Sequence, residues 1–248
     1  MIAARWIFRL SFRQLVQRKR AIGLVLFTAL PGIVLAIASA SVDEDDLLGL
    51  FHDLNVGLYL MVGLAVAALL NASSAFGEEL RASTLSYIVV KPVPRWIIAA
   101  SVSTAATAAT LLLAGMGLAV TWLMAIITIG DASLGLAPLA ALVIEALGYS
   151  AVFVPLGLLF SRATLAGLAY IFVWEGILGR ALSALAPSSV WITAFSGYAD
   201  IAEGIPDGTL ETLGNLVPGV GGALAKVLVA FVVSVCLTTL LLRKRDLA

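Results

Sequence analysis

Long apolar runs separated by short polar segments dominate the chain. A helix of about 20 apolar residues spans the roughly 30 Å hydrocarbon core of a bilayer. The pattern therefore predicts an all-α integral membrane protein with six transmembrane helices. These predicted helices cover residues 21–42, 54–76, 96–129, 137–160, 163–186 and 220–242. The pair Pro31-Gly32 inside the first run predicts a kink there.

Composition supports a membrane protein. Of the 248 residues, 61% are hydrophobic and only 12% are charged, whereas soluble proteins hold about 25% charged residues. Cys236 is the only cysteine, which excludes an intrachain disulfide. No repeat of tens of residues occurs, so residues 1–248 are interpreted as a single transmembrane domain.

The amino-terminal segment, residues 1–20, combines basic and apolar positions. Arg5, Arg9 and Arg13 are spaced four apart among large apolar side chains such as Trp6 and Leu10. This pattern predicts a basic amphipathic helix that lies in the membrane interface. A helix that only orients the first span is an equally valid interpretation.

Basic residues are segregated to one side of the predicted layout. If the two termini, the 77–95 loop and the 161–162 turn share a side, that side carries all the basic residues outside the spans. The three opposite loops contain no Lys or Arg. Positively charged loops remain in the cytoplasm, so both termini are predicted to be cytoplasmic. The residues on this side are Arg5, Arg9, Arg13, Arg18, Lys19, Arg20, Arg81, Lys91, Arg95, Arg162, Arg243, Lys244 and Arg245.

The cytoplasmic loop of residues 77–95 is unusually polar for a connection between two spans. Leu80, Leu85 and Ile88 recur at roughly helical spacing, and Pro92 and Pro94 follow. The pattern predicts a short amphipathic helix that presents a face to another protein. The alternative is a solvated loop whose basic residues only fix the topology.

The residues of this loop resemble a known family. The resemblance rests on Glu79, the triplet Ser83-Thr84-Leu85, Pro92 and Arg95. They are similar to the loop between helices two and three in permeases of ATP-binding-cassette transporters of the type-2 exporter class. That family usually has glycine where this chain has Ser83, and it often has lysine near Ser101. The six-span layout extends the resemblance over essentially the whole chain.

The resemblance implies a non-catalytic permease subunit of an ATP-driven exporter. In the family, an amino-terminal elbow helix precedes the spans, and the loop carries a coupling helix that docks on a separate ATPase. Two permease subunits, identical or paralogous, pair with two ATPase subunits in a prokaryotic plasma (cell inner) membrane and work by alternating access. The implied coupling residues are Glu78, Glu79, Arg81, Thr84, Leu85, Pro92 and Arg95.

The expected cofactors and partners follow from the same resemblance. The chain lacks the G-x-x-x-x-G-K-[ST] pattern of a P-loop, so ATP and Mg²⁺ are expected only in the partner ATPase. The expected surroundings are the lipid bilayer, the ATPase and a second permease, with no nucleic acid. Small apolar residues favour a hydrophobic or amphipathic cargo.

Four charged residues lie inside predicted spans, where they are energetically costly and often functional. They are Glu145, Glu175, Arg180 and Lys226. Helical rise places all four between about 9 and 16 Å from the outer ends of their spans. One interpretation is a paired network that lines a cavity open to the outside. The other is a structural ion pair, or basic side chains reaching for lipid headgroups. A second function, an ion-coupled carrier with Glu145 and Glu175 as proton-binding groups, remains as an alternative.

Two further segments lie on the predicted outer side. His52 accompanies an acidic run that begins at Asp43, and a solvated acidic loop is favoured over a metal site because paired ligand spacing is missing. The long loop of residues 187–219 is predicted to hold interfacial or re-entrant helices. Within the third span, the face formed by Ser103, Thr107, Thr110 and Ala114 predicts close helix packing, with a polar wall of a transport path as the alternative.

Overall fold

The architecture is helical throughout the part of the chain that the structure describes. In this computed structural model, the described residues are 2–16, 19–76, 93–160, 162–178, 186–211 and 218–245. Every regular element among them is a helix. The prediction of an all-α fold with helices that can cross a membrane is therefore confirmed.

The amino-terminal region forms three helices. Helix α1 spans Ile2–Val16, α2 spans Lys19–Thr28 and α3 spans Leu30–Ala38. The axes of α2 and α3 differ by 41°. Pro31 lies in the first turn of α3, where its missing N–H and its ring disfavour continuation of the preceding helix. The predicted kink is confirmed.

Gly32 allows α3 to approach a later helix closely. A methyl group added at Gly32 would lie 2.7 Å from the Cα of Thr121 and 2.8 Å from its backbone nitrogen. Only a residue without a Cβ fits there, because neither of these backbone atoms can move independently of its helix.

The second membrane-spanning region begins earlier than the sequence predicts. Helix α4, Glu44–Asp53, continues through a π-helical stretch, Leu54–Leu64, into α5, Ala65–Ser74. The apolar helix long enough to span covers Asp46–Ser74, which is 29 residues. The acidic segment is thus helical rather than the expected loop, because its apolar residues Leu47 and Phe51, one helical turn apart, pack against Leu35 and Ala125.

Helix α6 is the longest element. It spans Arg95–Thr128, or 34 residues, and Pro94 directly precedes it. At 1.5 Å per residue it is about 51 Å long, which exceeds the hydrocarbon thickness. Ser103, Thr107 and Thr110 are all buried on it, and Asn71 on α5 donates a hydrogen bond to the Thr110 hydroxyl at 3.3 Å. The prediction of a packing face is confirmed.

Two helices follow the turn at Gly130, whose φ of 85° suits glycine. A short 3₁₀ turn, Ser133–Gly135, leads into α7, Leu136–Leu159, with Pro155 inside the helix. Helix α8, Ala163–Ala169, continues as a π-helical stretch, Tyr170–Leu178.

The remaining segment holds short helices before a final long one. A 3₁₀ turn covers Ala186–Ser188, α9 spans Val190–Ala199 and α10 spans Asp207–Leu210. Helix α11 spans Gly219–Arg245, which is 27 residues.

Length and apolarity identify four helices in the described residues that can cross a membrane, or five if the bent α2–α3 pair counts as one span. The apolar helix Ala163–Ile177 is shorter. The described residues therefore account for four or five of the six spans expected from the sequence.

Helix α7 lies at the centre of the bundle. It packs against α5, α6, α9 and α11, and its residues Ile144, Tyr149 and Phe153 are fully buried. By contrast, α11 exposes a row of large apolar side chains: Leu228, Val229, Val232, Val233, Leu237 and Leu240. An apolar row of this kind suits lipid or another helix rather than water.

Candidate functional site

The amino-terminal helix packs beside the start of α6. Helix α1 contacts α6, and its Leu15 belongs to the same buried cluster as Ile98 and Val102 of α6. Its opposite face exposes Arg5, Arg9 and Arg13. The amphipathic helix expected at residues 1–20 is present over Ile2–Val16.

Most predicted coupling residues lie outside the described residues. This applies to Glu78, Glu79, Arg81, Thr84, Leu85 and Pro92. Arg95 is the first residue of α6. On the other side of the same loop, α5 ends at Ser74. The Ser74 hydroxyl accepts a hydrogen bond of 2.6 Å from Arg20, which ties the end of α5 to the start of α2. The end of α5, which precedes the 77–92 segment, is therefore held by α2.

Glu175 caps the amino terminus of α9. Its carboxylate accepts hydrogen bonds from the backbone N–H groups of Val190, at 2.9 Å, and Trp191, at 3.4 Å. The Ser189 hydroxyl also donates to it, as does the Tyr170 hydroxyl at 3.1 Å. A negative charge that satisfies the free N–H groups of a helix start is favourable. Glu175 therefore fixes the position of α9.

Ser189 completes this cap. Its side chain accepts a hydrogen bond from the N–H of Ile192 at 3.0 Å, as an N-cap residue does. The first three N–H groups of α9 thus all have side-chain acceptors.

Lys226 holds the same segment from α11. Its ammonium group donates to the backbone carbonyl of Pro187 and, at 2.6 Å, to the hydroxyl of Thr193. Glu175 and Lys226 thus both hold the start of α9, one through its N–H groups and the other through a carbonyl and a hydroxyl.

Glu145 contrasts with both. It is fully buried on α7, and neither of its carboxylate oxygens has a hydrogen-bond partner within the described ranges. The hydroxyl of Tyr149, one turn further along α7, is also buried without a partner there. Arg180, the fourth residue of the predicted charge network, lies outside the described residues. Pairing between Arg180 and either glutamate remains a prediction.

A second polar centre lies at the end of the bundle near α4. The His52 ring is 1% exposed, with Nδ1 2.7 Å from the Tyr198 hydroxyl and Nε2 3.0 Å from the carbonyl of Glu203. A carbonyl only accepts, so Nε2 carries the hydrogen and Nδ1 accepts from Tyr198. Burial raises the pKa of Tyr198, which keeps its phenol able to donate.

His52 is therefore a structural link between α4 and the segment that follows α9. Both ring nitrogens are in use, and no group of three or more metal-ligating side chains occurs among the described residues. The expected solvation of His52 is wrong, because the ring is buried against Tyr198 and the Glu203 carbonyl.

Beside His52 lies a cavity of about 490 Å³. It is enclosed by α4, by the turn between α6 and α7, and by the segment after α9. Two carboxylic residues, Asp131 and Glu203, line it together with apolar residues such as Leu134 and Ile201. Sequence reasoning missed this cavity, and its only signal was the position of two acidic residues in separate loops.

Asp131 is fixed by its neighbour. Its Oδ1 accepts hydrogen bonds from the Ser133 backbone N–H at 2.8 Å and from the Ser133 hydroxyl at 2.7 Å. Both bonds lower the pKa of Asp131, and the bond from the hydroxyl has the larger effect. Its charge is therefore present throughout the neutral range.

Comparison of the sequence with models of known protein families and with curated proteins finds no match.

Proposed function

We propose that this chain is the membrane-spanning permease subunit of an ATP-driven exporter of the type-2 class. In this arrangement α1 is the elbow helix, α2–α3 form one bent span, and Ala163–Ile177 belongs to the fifth span. The bundle then has six spans with both termini in the cytoplasm of a prokaryote. The segment from Ala186 to Leu210 is a set of outer-side helices.

The observation that carries the proposal is the position of α6. The charged 77–92 segment leads into its first residue, Arg95, and α1 packs beside this end. Helix α6 also contacts α3, α5, α7 and α11. A push applied by an ATPase to the 77–95 loop would therefore reach most of the bundle through one continuous helix.

The geometry of α6 supports a mechanism of alternating access. The far end of α6 reaches Ile129 and Asp131 at the outer cavity. A stiff helix about 51 Å long carries a tilt of its cytoplasmic end to that cavity without a hinge. The exposed apolar row on α11 is available for a second permease subunit, with the hydrophobic or amphipathic cargo leaving between the two copies.

Purification from native membranes tests the proposal. The tagged protein in nanodiscs should carry an ATPase subunit and show vanadate-sensitive ATP hydrolysis. The double variant Glu79→Ala/Leu85→Ala should lose both. The matched control, Asp207→Ala/Leu210→Ala, changes one carboxylate and one leucine on α10 and should keep both. Native preparations without any ATP hydrolysis, or equal loss in the two double variants, would refute the exporter function.

An ion-coupled carrier is the second candidate. The Glu145 carboxyl favours it, because this group is buried with no hydrogen-bond partner among the described residues. Glu175 supports it less, because its carboxylate is committed to the start of α9. This carrier would transport in proteoliposomes that contain no ATPase when a pH gradient is imposed. Glu145→Gln would abolish that transport, whereas an exporter requires ATP in both the wild type and this variant.

A further inference from the structure

The outer cavity combines apolar residues with two acidic ones. Its lining includes Leu48, Leu134 and Leu136 on the apolar side and the carboxylic residues Asp131 and Glu203 on the polar side. No Lys or Arg belongs to the lining that the structure describes. His52, the remaining titratable group in the lining, is engaged by Tyr198 and by the Glu203 carbonyl.

The cavity is of suitable size for a small organic molecule. Ligand pockets in proteins typically enclose about 300–1,000 Å³ and pair apolar walls with a few placed polar groups. The volume of about 490 Å³ falls within that range. Asp131, Ser133 and Glu203 are exposed, so the cavity is accessible from the aqueous side.

Both acidic residues lie on braced backbone. Asp131 is held by Ser133, as described above. The backbone of Glu203 is held by the buried His52 ring, and Gly204 next to it adopts a φ of 75°. Fixed segments lose little entropy when a ligand binds. Both residues therefore line the cavity on segments that are already in place, without the need for a loop to fold around the ligand.

We propose that this cavity is a binding site for a lipophilic organic monocation. The charge of such a ligand is attracted by Asp131 and Glu203, and its apolar body packs against the leucine side chains. A metal ion fits less well, since the described residues offer no group of three ligands and more than half of the lining residues are apolar. An organic anion would face two like charges. The proposal is independent of the exporter function, because binding requires no ATPase.

Equilibrium dialysis with two probes of the same shape tests the proposal. Tetraphenylphosphonium is a lipophilic cation, and tetraphenylborate is its anionic counterpart. The full chain is placed in nanodiscs of uncharged phosphatidylcholine, and binding to empty nanodiscs is subtracted. We expect saturable binding of one tetraphenylphosphonium per chain and none of tetraphenylborate. Binding of both probes alike, or no saturable binding, would overturn the proposal.

Charge variants localise the site. Asp131→Asn/Glu203→Gln should weaken tetraphenylphosphonium binding by about tenfold, since each exposed charge pair contributes a fewfold. The control Asp43→Asn/Asp207→Asn removes the same net charge from exposed positions outside the cavity and should change binding less than twofold. Equal weakening in both double variants would mean that the cation responds only to surface charge and would contradict the proposal.

A substitution that fills the cavity without changing its charge gives a second test. Ala202 lines the cavity, and Ala202→Phe would occupy part of its volume while both carboxylates remain. We expect this variant to lose saturable binding, with size-exclusion chromatography as the check on folding. Wild-type affinity in a well-folded Ala202→Phe protein would show that the cation binds elsewhere. If this variant misfolds, the charge variants decide.

Discussion

Replacement of Glu175 by alanine should destabilise the protein strongly, because its carboxylate satisfies the start of α9. The substitution leaves the backbone N–H groups of Val190 and Trp191 without their acceptor. Each buried unsatisfied group costs about 1–3 kcal/mol. We therefore expect Glu175→Ala to lower the free energy of unfolding by about 4 kcal/mol. Glu175→Gln keeps one acceptor oxygen and should cost about half as much.

Equilibrium unfolding in mixed micelles of increasing dodecyl sulfate content, followed by circular dichroism, measures this loss. Glu211→Ala is the matched control because Glu211 is exposed, and such surface changes usually stay within about 0.5 kcal/mol. Amide hydrogen exchange adds a local measurement. The amides of α9 should exchange faster in Glu175→Ala, while those of α6 keep the wild-type rate.

The reasoning is refuted if Glu175→Ala unfolds within about 1 kcal/mol of the wild type. A separate result bears on the charge network. If Glu175→Gln and Arg180→Ala fold and transport at the wild-type rate, these residues have no part in transport. A loss of transport in folded Glu175→Gln would instead show that the α9 anchor also serves the transport cycle.

Three other predictions concern packing and charge. Gly32→Ala should destabilise the α3–α6 contact by about 1–3 kcal/mol, whereas Gly23→Ala, where an added methyl group meets nothing within 4 Å, should be neutral or stabilising in the same unfolding assay. His52→Ala should cost about 2–4 kcal/mol, since it removes two hydrogen bonds and leaves a cavity, and a neutral result would contradict the assigned link. Ser133→Ala should raise the pKa of Asp131 toward its ordinary value of about 3.9. Because the wild-type pKa is lowered, the contribution of Asp131 to tetraphenylphosphonium binding should disappear at a higher pH in this variant, which dialysis over a pH series measures.

Local patterns explain which parts of the fold could be predicted from the sequence. The spacing of Arg5, Arg9 and Arg13 identified α1, and Pro31 located the bend between α2 and α3. Both features depend on residues within one or two helical turns. The buried face of small hydroxyl side chains on α6 was predictable for the same reason, because these residues recur at helical spacing.

Contacts between distant parts of the chain explain what could not be predicted. His52 and Tyr198 are 146 residues apart, and no periodicity relates them. Glu175 was recognisable as a carboxylate in an apolar run, but its partners include backbone N–H groups, which every residue except proline has. The cavity needs three separate segments of the chain to meet. The sequence therefore located the unusual charges without revealing what each charge contacts.

The two ends of α6 provide a way to connect the proposed coupling loop with the proposed cation site. Arg95 begins the helix beside α1, and Ile129, which follows its last residue, lines the cavity. Most of the helix between them is packed against α3, α5, α7 and α11, so a displacement of one end is transmitted along the helix rather than absorbed by local bending. If an ATPase moves the cytoplasmic end, the turn that carries Asp131 must move relative to the Glu203 segment, which His52 attaches to α4. Cation affinity should then differ between the nucleotide-free and the vanadate-trapped complex, because the movement changes the separation between Asp131 and Glu203.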